Sequence, residues 1–594
     1  GKYKHTFTDK PGIKFVLGDY VYEETTSPIP LWLSVFPPLI AILMALIFKE
    51  VITSLFMGIF IGGAIIEVYT EGPIGIITGL LSVIDKYVIN SLNNWGHLAV
   101  IIFSMLIGGI VSVISRNGGM QGVVNIISKY AKDARSGQLA TWLLGIAIFF
   151  DDYANTLVVG NTMRPVTDRL RISREKLSYI VDSTAAPIAA IAFVTTWIGF
   201  QLGYIETSLQ AIGIDESAYS VFISSLSYSF YPVFTLLFVL ILIVQGKDFG
   251  PMVKAEIRAR TTGKVLNDEK KMEISWMNRL RGKSPEVKND DKDEAVAETV
   301  ADELKSLEPA PNAKFRWYNA FLPILVVILG TFAGLLYTGY NAAEWPDEEL
   351  GIGRSLSLII GASDSYFALL WASLSGLLVA IGLTISQGIL SLNATVEAVL
   401  NGFKTMFAAI MILILAWSLA LVTEEMRTAD FITNSMLSGG LSPVIIPALT
   451  FIIASLIAFS TGSSWGAMAI LYPLMLPAAW QVCMVSGMDE ESTMHIFYNV
   501  VSCVLAGSVL GDHCSPISDT TILSSLASSC NHIDHVRTQM PYALTVGVVA
   551  IIFGTVPGAL GASPWITFPI GIVVLWIIVH FIGENVEDAK EHVI

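Results

Sequence analysis

Long apolar segments recur along the chain, and short polar or charged stretches separate them. Clear examples cover residues 31–48, 98–114, 321–337, 367–385 and 565–582. A helix of about 17–20 apolar residues is long enough to cross a bilayer. The segments are largely continuous and do not alternate with polar residues, which favours helices over barrel strands. The pattern predicts an all-α polytopic membrane protein.

One hydrophilic segment, residues 246–316, separates two apolar halves and holds 15 Lys and Arg with 14 Asp and Glu. It is either a regulatory or partner-binding domain or a solvated, partly helical connector, and we favour the connector. The predicted organisation is an external N-terminal segment (1–30), a first membrane repeat (31–245), a cytoplasmic connector (246–316), a second membrane repeat (317–560) and an extra C-terminal helix with its tail (561–594).

The two halves share a pattern, although their identity is low. An offset of 309 residues without gaps aligns the segments that begin at Leu106 and Ile146 with those that begin at Leu415 and Ser455. In each half a long helix precedes a polar stretch and two short apolar arms around a polar tip. Arms of about 7–17 residues are short for a full span. We therefore predict two re-entrant hairpins, with arms at residues 139–150 and 157–165 and at residues 443–459 and 467–473.

Loop charges predict the orientation of the hairpins. The first has basic flanks and the second mainly acidic ones, so the first is expected to enter from the cytoplasm and the second from outside. Opposite entry is typical of inverted repeats. The same rule places the connector and the C-terminus inside, and residues 1–30, 215–216 and 344–349 outside. An external N-terminus that begins at Gly1 suggests a removed signal peptide or a missing upstream helix.

The first hairpin tip carries two adjacent carboxylates, Asp151 and Asp152, followed by Asn155 and Thr156. Each charge near the bilayer centre costs about 2.5–3.5 kcal/mol. The pair therefore indicates a cation, a proton or a water path. Asp and Asn also favour helix N-caps, and a cap at a broken helix is compatible with ion binding.

The second tip is rich in small hydroxyl residues, with Thr461, Gly462, Ser463 and Ser464 in succession. Glycine lets the backbone approach a ligand closely, and hard cations prefer oxygen ligands. Small-residue helix packing is the alternative interpretation.

Each hairpin is followed by a helix that should cross the membrane. The first, at residues 177–200, contains Asp182, Thr195 and Thr196. Gly511 and Pro516 are expected to break the second, and broken helices in matching positions indicate a transporter's binding site. A packed polar kink and a metal site at the adjacent histidine are the alternatives. The polar residues of this second segment are Asp512, His513, Ser515, Ser518, Asp519 and Thr520.

The motifs GDHCSPISDTT and FDDYANT, with the segment LWLSVFPPLIAILMALIFKEVITSLFMGIFIGG, resemble the NhaC-type sodium/proton antiporter family of the ion-transporter superfamily. The resemblance covers most of the chain outside residues 1–30 and the charged connector. It implies an elevator architecture, in which a scaffold domain holds a homodimer and a transport domain carries the hairpins. It also implies ion-coupled exchange, although relatives include sodium- and proton-coupled exchangers of malate for lactate.

The resulting prediction is a secondary active antiporter that exchanges Na⁺ for protons across the inner (plasma) membrane of a bacterium. The alternative is a sodium- and proton-coupled exchanger of small carboxylates or amino acids. A basic residue within the core would favour such a substrate, and the apolar stretches around the tips hold almost none, with Lys404 as the exception. Enzyme activity, cofactors and nucleic-acid binding are not predicted, and the expected partners are membrane lipids and a second copy of the chain.

The predicted ion site combines residues of both tips and both following helices, with sodium placed at Asp152, Asn155, Ser464 and Asp512. Its members are Asp152, Asn155, Thr156, Ser463, Ser464, Asp512, Ser515 and Ser518. A second tier comprises Asp151, Asp182, Thr195, Thr196, Thr461, His513, Asp519 and Thr520.

Overall fold

The computed structural model describes residues 13–17, 20–24, 29–48, 50–214, 216–267, 308–311, 313–340, 359, 362–439 and 442–586. Most of these residues are helical. Ten helices in the described part of the chain are long and apolar enough to cross a membrane, and two bent helix pairs raise the number to 12 if each pair counts as one span. The protein is therefore a polytopic membrane protein. Most of the predicted connector, the acidic loop at 344–349 and Asp215 lie outside the described residues.

The first half consists of helices that begin at Leu31 and end at Gln245. They are Leu31–Val35 (3-10), Phe36–Phe48, Val51–Glu71, Gly72–Ile74 (3-10), Gly75–Ser82, Val83–Val88 (π), Ile89–Leu92, Trp95–Arg116, Gly119–Ile127, Ser128–Tyr130 (3-10), Ala134–Ala147, Asp152–Arg169, Arg174–Ser183, Ala186–Ile191, Thr196–Ile212, Ala218–Ser225, Leu226–Tyr228 (3-10) and Phe230–Gln245. One helix of the connector, Pro251–Thr262, follows them.

The second half begins with two paired helices and ends with a C-terminal helix. Its helices are Tyr318–Gly339, Ser365–Ser386, Leu392–Thr405, Phe407–Glu425, Thr428–Ser438, Pro443–Ile445 (3-10), Ile446–Thr461, Ser464–Val485, Glu490–Cys514, Asp519–Ala527, His532–Ala550, Ile551–Thr555 (π), Val556–Ala559 and Pro564–Ile582.

The order of elements repeats between the halves. In each half a long helix leads to a shorter one, then to two helical arms joined by a tight turn, and then to a helix interrupted by extended residues. The first hairpin is Ala134–Ala147 with Asp152–Arg169, and the second is Ile446–Thr461 with Ser464–Val485. The orientation of each hairpin across the membrane remains a prediction.

The hairpin arms are longer than the sequence predicted. The second arm of the first hairpin continues through Pro165, and that of the second continues through Pro473 and Pro477 to Val485. The predicted arms end at Pro165 and Pro473. In a membrane bundle, however, neighbouring helices and hydroxyl side chains can satisfy the carbonyls that proline leaves free. Both arms of the second hairpin are long enough to cross a membrane.

Two short antiparallel strand pairs depart from the all-α prediction. Ile13–Leu17 pairs with Tyr20–Glu24, and these strands are rich in β-branched and aromatic residues, which favour strands. Lys247–Asp248 pairs with Glu584–Asn585. The second pair lies directly after the helices that end at Gln245 and Ile582 and joins their C-terminal ends.

Helix packing buries a continuous apolar core, while other apolar side chains stay on the surface. The helix Pro564–Ile582 is an example, since Trp565 and Phe581 are 89% and 80% exposed. In a membrane such faces contact lipid, and aromatic residues at both helix ends are typical of the membrane–water interfaces. The polar groups described next lie inside the core.

Candidate functional site

The first hairpin turns at Ile148 and resumes as a helix at Asp152. Asp151 is the N-cap of that helix, and its carboxylate accepts a hydrogen bond of 2.7 Å from the backbone N–H of Ala154. Asp152 begins the helix, and its side chain is only 1% exposed. Asp151 is therefore the helix N-cap, and Asp152 is not a capping residue.

Asn155 holds the tip to its surroundings. Its side-chain nitrogen donates to the carbonyls of Gly145 (2.7 Å), Ile148 (3.0 Å) and Thr184 (2.9 Å). These carbonyls belong to the first arm, to the turn and to the helix that follows the hairpin. One side chain therefore joins three segments of the first half.

The helix predicted at residues 177–200 is three helices, separated at 184–185 and 192–195. Thr195 caps the third helix, Thr196–Ile212, by accepting from the backbone N–H groups of Trp197 and Ile198. The N–H of Thr196 donates to the carbonyl of Phe150 at 3.0 Å. This bond places the break directly against the first tip.

Several buried polar atoms around Asp152 have no hydrogen-bond partner among the described residues. Both carboxylate oxygens of Asp152 are in this state. The Trp197 indole N–H faces that carboxylate as a weak donor, beyond the geometry of a normal hydrogen bond, and the adjacent Asp151 carboxylate repels it electrostatically. Buried polar groups are normally paired, so such a group of orphaned atoms indicates a ligand site. The other orphaned atoms nearby are Asn155 Oδ1, Thr156 Oγ1, Thr196 Oγ1 and Trp197 Nε1.

The second tip contacts the second broken helix. Gly462 has φ +68°, and a Cβ atom there would lie 2.4 Å from the carbonyl oxygen of Ile517, so glycine is required by both conformation and space. Ser463 caps the following helix by accepting from the N–H of Gly466 at 3.2 Å. Ser464 donates to the carbonyl of Ser508 at 3.2 Å. The hydroxyl of Thr461 donates to the carbonyl of Ile457 at 2.8 Å and lies 3.5 Å from the carbonyl of Ser463.

Aromatic rings connect the two tips. Trp465, next to Ser464, packs on Trp197 with ring centroids 4.9 Å apart and on Phe200 with centroids 4.4 Å apart. Trp197 is also the indole beside Asp152. The tips of the two halves therefore meet through one pair of tryptophan rings.

The second helix breaks at 515–518 and not at Gly511. Gly511 lies inside Glu490–Cys514 and lets that helix approach the backbone of Ser455 and Phe459. The carboxylate of Asp512 accepts from Ser518 Oγ (2.8 Å) and Thr520 Oγ1 (2.5 Å), across the break.

Other residues of this break hold its backbone. Ser515 accepts from the N–H of Ile517 at 3.3 Å. Asp519 is exposed and interacts with Tyr153 on the first hairpin.

Asp182 lies at the centre of a buried network that the sequence did not reveal. Its carboxylate accepts from Gln539 (2.5 Å), Ser524 (3.1 Å) and Thr521 (3.3 Å), and His535 Nε2 lies 3.4 Å from it. The helix His532–Ala550 supplies Gln539 and His535, four residues apart on one helix face. That spacing is the only sequence signal that could have suggested them.

His513 belongs to the same network. Its Nδ1 lies 2.9 Å from the hydroxyl of Tyr231, and its Nε2 lies 3.3 Å from the carbonyl of Asp182. No group of three or more His, Cys, Asp or Glu side chains in the described part of the chain could hold a metal ion in the manner of a metalloprotein.

The predicted sodium ligands fall into two groups. Asp152 and Asn155 lie at the first tip, whereas Asp512 lies at the second break, beside the second tip with Ser464. No hydrogen bond between described residues joins Asp152 to Asp512. The tryptophan pair, the Tyr153–Asp519 interaction and the packing of Leu157 against Leu523 and Ala527 connect the groups.

Buried positive charge is scarce near these groups. Lys404 is exposed on the surface of Leu392–Thr405 and does not enter the site. Lys176 is the buried lysine of the described residues, and its Nζ is paired with Asp248 Oδ1 at 2.5 Å. The surroundings of Asp152 and Asp512 are therefore acidic and rich in oxygen atoms, which suits a cation.

Comparison with known proteins identifies related sequences over most of the chain. The model of the Na⁺/H⁺ antiporter family matches residues 191–557, a range that includes the second tip and the second break. An uncharacterized protein of Haemophilus influenzae is 29% identical over 523 residues, which are 87% of this chain and 89% of that protein.

Two shorter matches are to antiporters. The arginine/ornithine antiporter ArcD of Halobacterium salinarum is 26% identical over 167 residues, which are 28% of this chain and 32% of that protein. The malate-2H⁺/Na⁺-lactate antiporter of Bacillus subtilis is 26% identical over 178 residues, which are 28% of this chain and 32% of that protein.

Proposed function

Because the chain belongs to the Na⁺/H⁺ antiporter family, we propose that it is a secondary active antiporter that exchanges Na⁺ for protons. The observation that carries this proposal is the buried carboxylate of Asp152, neither of whose oxygens has a hydrogen-bond partner in the described residues. Asn155, Thr156 and Thr196 supply further unpartnered oxygens beside it. Hard cations prefer such oxygen ligands.

The mechanism follows from the cost of burying a charge. An ionised carboxylate in an apolar surround is unfavourable unless a cation or hydrogen bonds compensate it. Asp152 is compensated by bound Na⁺ in one state and by a proton in the other. Each cation therefore displaces the other, and exchange follows when the loaded site opens alternately to the two sides of the membrane.

Asp512 contributes the second part of the proposed site. Its carboxylate and the hydroxyls of Ser518 and Thr520 form a compact set of oxygens at the second break. A hydroxyl oxygen that donates its proton to Asp512 keeps lone pairs, and it can rotate to bind a cation with them. We propose that Asp512 binds Na⁺ together with Asp152. In the Na⁺-bound state its carboxylate contacts the ion, and the hydroxyls of Ser518 and Thr520 no longer donate to it.

Movement of the site rests on the resemblance stated above. We propose that the two hairpins and broken helices move as a transport domain in a homodimer, in the plasma membrane of a bacterium.

The proposed orientation has the connector on the cytoplasmic side of the membrane. Cysteines introduced at residues 280 and 346 should react with an impermeant reagent from the cytoplasmic and the external side respectively. Reaction of both from one side would contradict the inverted repeat.

A second candidate is exchange of a small organic ion. Two relatives are named as exchangers of malate and lactate or of arginine and ornithine. A cavity of about 270 Å³ away from both tips includes Arg427 in its lining and has room for a small carboxylate. Asp430 pairs with that arginine at 2.5 Å, which weakens this candidate because the charge is already compensated.

The direct test uses purified protein in liposomes that carry an imposed pH gradient. We expect Na⁺ to dissipate the gradient at micromolar to millimolar concentration, whereas K⁺, malate, lactate and arginine alone should not. A gradient that responds to malate or arginine only in the presence of Na⁺ would favour the second candidate. A gradient that ignores Na⁺ under all conditions would refute the proposal.

A further inference from the structure

A cavity of about 270 Å³ opens between the two halves, away from both tips. Its lining includes Thr207, Ser208, Glu424, Arg427, Asp430 and Gln481. Eight of the fourteen lining residues are polar or charged and the others are Ala, Leu and Pro, so the cavity offers polar groups to a hydrated ion on part of its wall. The acidic residues among them flank the second hairpin, which the loop charges place at the external side. The cavity is therefore a candidate external vestibule.

One helix leads from this cavity to Asp152. Thr196–Ile212 begins beside the first tip, and its later turns supply Ser208 and Ala211 to the cavity lining. Because an α-helix rises about 1.5 Å per residue, Trp197 and Ser208 are about 16 Å apart along it. That distance is what a cation must cover between the cavity and the first tip.

Four buried residues of this helix that carry polar atoms fall on one face, whereas Glu206, Thr207 and Gln210 lie on other faces. Trp197, Gln201, Tyr204 and Ser208 are spaced by three or four residues, which places them in one stripe. The opposite face of the helix packs against two other helices, where Gly199 contacts Phe103 and Gly203 contacts Trp417. The stripe therefore points away from Trp95–Arg116 and Phe407–Glu425.

The second hairpin forms the facing wall. Trp465 packs on Trp197, and Tyr472 stacks on Tyr204 with ring centroids 5.6 Å apart. Further along the same helix, Pro473 lines the cavity. A continuous seam therefore runs between Thr196–Ile212 and Ser464–Val485, from Asp152 to the cavity.

Polar atoms inside this seam have no hydrogen-bond partner among the described residues. Gln201 is 1% exposed, and neither its amide oxygen nor its amide nitrogen is paired. The hydroxyl of Tyr204, one turn closer to the cavity, is also unpaired and buried. A buried glutamine with both polar atoms unpaired contributes nothing to the fold that an apolar residue would not.

From this geometry we propose that the seam is the external access route to Asp152, and that the amide oxygen of Gln201 is a transit ligand for the cation. The proposal rests on the proposed function, because it takes Na⁺ as the ion that moves. Gln201 receives Na⁺ from the cavity and passes it to the oxygens around Asp152. Tyr204, stacked on Tyr472, sets the width of the route between Gln201 and the cavity.

The test compares neighbouring positions on and off the stripe. Gln201→Cys and Leu202→Cys are prepared in liposomes and treated from the external side with a small, positively charged, membrane-impermeant thiol reagent. Leu202 is fully buried and lies off the stripe, so it is the matched control. The parent protein reports background modification, since its Cys483, Cys503 and Cys514 are buried and its Cys530 is partly exposed. Cys530 is replaced by serine in all variants compared.

We expect the thiol of the Gln201→Cys variant to react at least tenfold faster than that of the Leu202→Cys variant. Saturating Na⁺ should slow the faster reaction, and modification should block exchange. Equal rates in the two variants, or no reaction at position 201, would overturn the route even if the parent protein exchanges Na⁺ for protons. Rapid reaction at position 201 that Na⁺ does not slow would overturn Na⁺ as the ion at Gln201. Failure of the parent protein to respond to Na⁺ would refute the proposed function separately.

A second variant removes the ligand without a label. Gln201→Leu keeps the approximate volume of the side chain and removes its polar atoms. We expect the external Na⁺ concentration for half-maximal exchange to rise at least fivefold, while Na⁺ binding to detergent-solubilised protein at equilibrium changes less than twofold. An unchanged external requirement would contradict the assignment of Gln201.

Discussion

The side chain of Asn155 provides the sharpest test of how the first tip is held. Its amide group is the donor to three carbonyls from three segments, at Gly145, Ile148 and Thr184. Asn155→Ala removes all three contacts and leaves the carbonyls buried. Side-chain hydrogen bonds in membrane bundles contribute about 0.6 kcal/mol on average and up to about 1.7 kcal/mol each. The amide has only two hydrogens, so the three contacts amount to about two full hydrogen bonds. The expected loss of stability is therefore about 1–3.5 kcal/mol.

A matched control lies on the same helix. Asn161 is half-buried, and its amide donates only to the carbonyl of Leu157 in its own helix, at 2.9 Å. Asn161→Ala should cost less than about 1 kcal/mol, because alanine's helix propensity offsets part of the lost bond. Reversible unfolding in mixed detergent micelles measures both variants. If both lose the same stability, the three contacts of Asn155 do not hold the tip.

Two further predictions concern contacts outside the cation site. Gly462→Ala should destabilise the protein and impair exchange, because alanine adds both a strained φ and a clash with the carbonyl of Ile517. Gly487→Ala is the control, because Gly487 has φ +77° but no neighbouring atom within reach of a Cβ, so this change adds only the backbone strain. Equal losses of thermal stability in the two variants would show that the clash at Gly462 contributes nothing. Lys176→Met should cost about 3–5 kcal/mol, since it leaves the carboxylate of Asp248 buried without its partner. Adding Asp248→Asn should restore most of that loss in the same unfolding assay, and a double variant no more stable than the single one would refute the pairing argument.

The apolar pattern was enough to predict the helical membrane architecture and the polar tips. Apolar runs of spanning length and charged loops follow directly from the bilayer's thickness and polarity, so the main helices lie where the sequence places them. The tips were found because Asp152 and Ser464 are polar residues within apolar surroundings, which is a local signal. Gly462 was likewise expected to allow a close backbone approach, and the contact with Ile517 shows why.

Other features depend on neighbours that are distant in sequence. The predicted second arm of the second hairpin ends at residue 473, but the helix continues through Pro473 and Pro477 to Val485. The network around Asp182 joins residues more than 300 positions apart, and no local pattern marks Gln539 as its partner. Gln201 was missed for a related reason, because a single glutamine in an apolar helix carries no signal until its missing partners are seen.

The central claim is that Na⁺ and protons compete for Asp152, and the pH dependence of exchange tests it most directly. The measurement is the Na⁺ concentration for half-maximal proton movement in liposomes at several pH values, for the parent protein, Asp152→Asn and Asp151→Asn. The parent's requirement for Na⁺ should rise as pH falls, because protons then occupy the carboxylate. Asp151→Asn should keep exchange, since asparagine also caps helices. Asp152→Asn should lose Na⁺-driven proton movement while remaining folded, whereas exchange by this variant with the parent's pH profile would contradict the account.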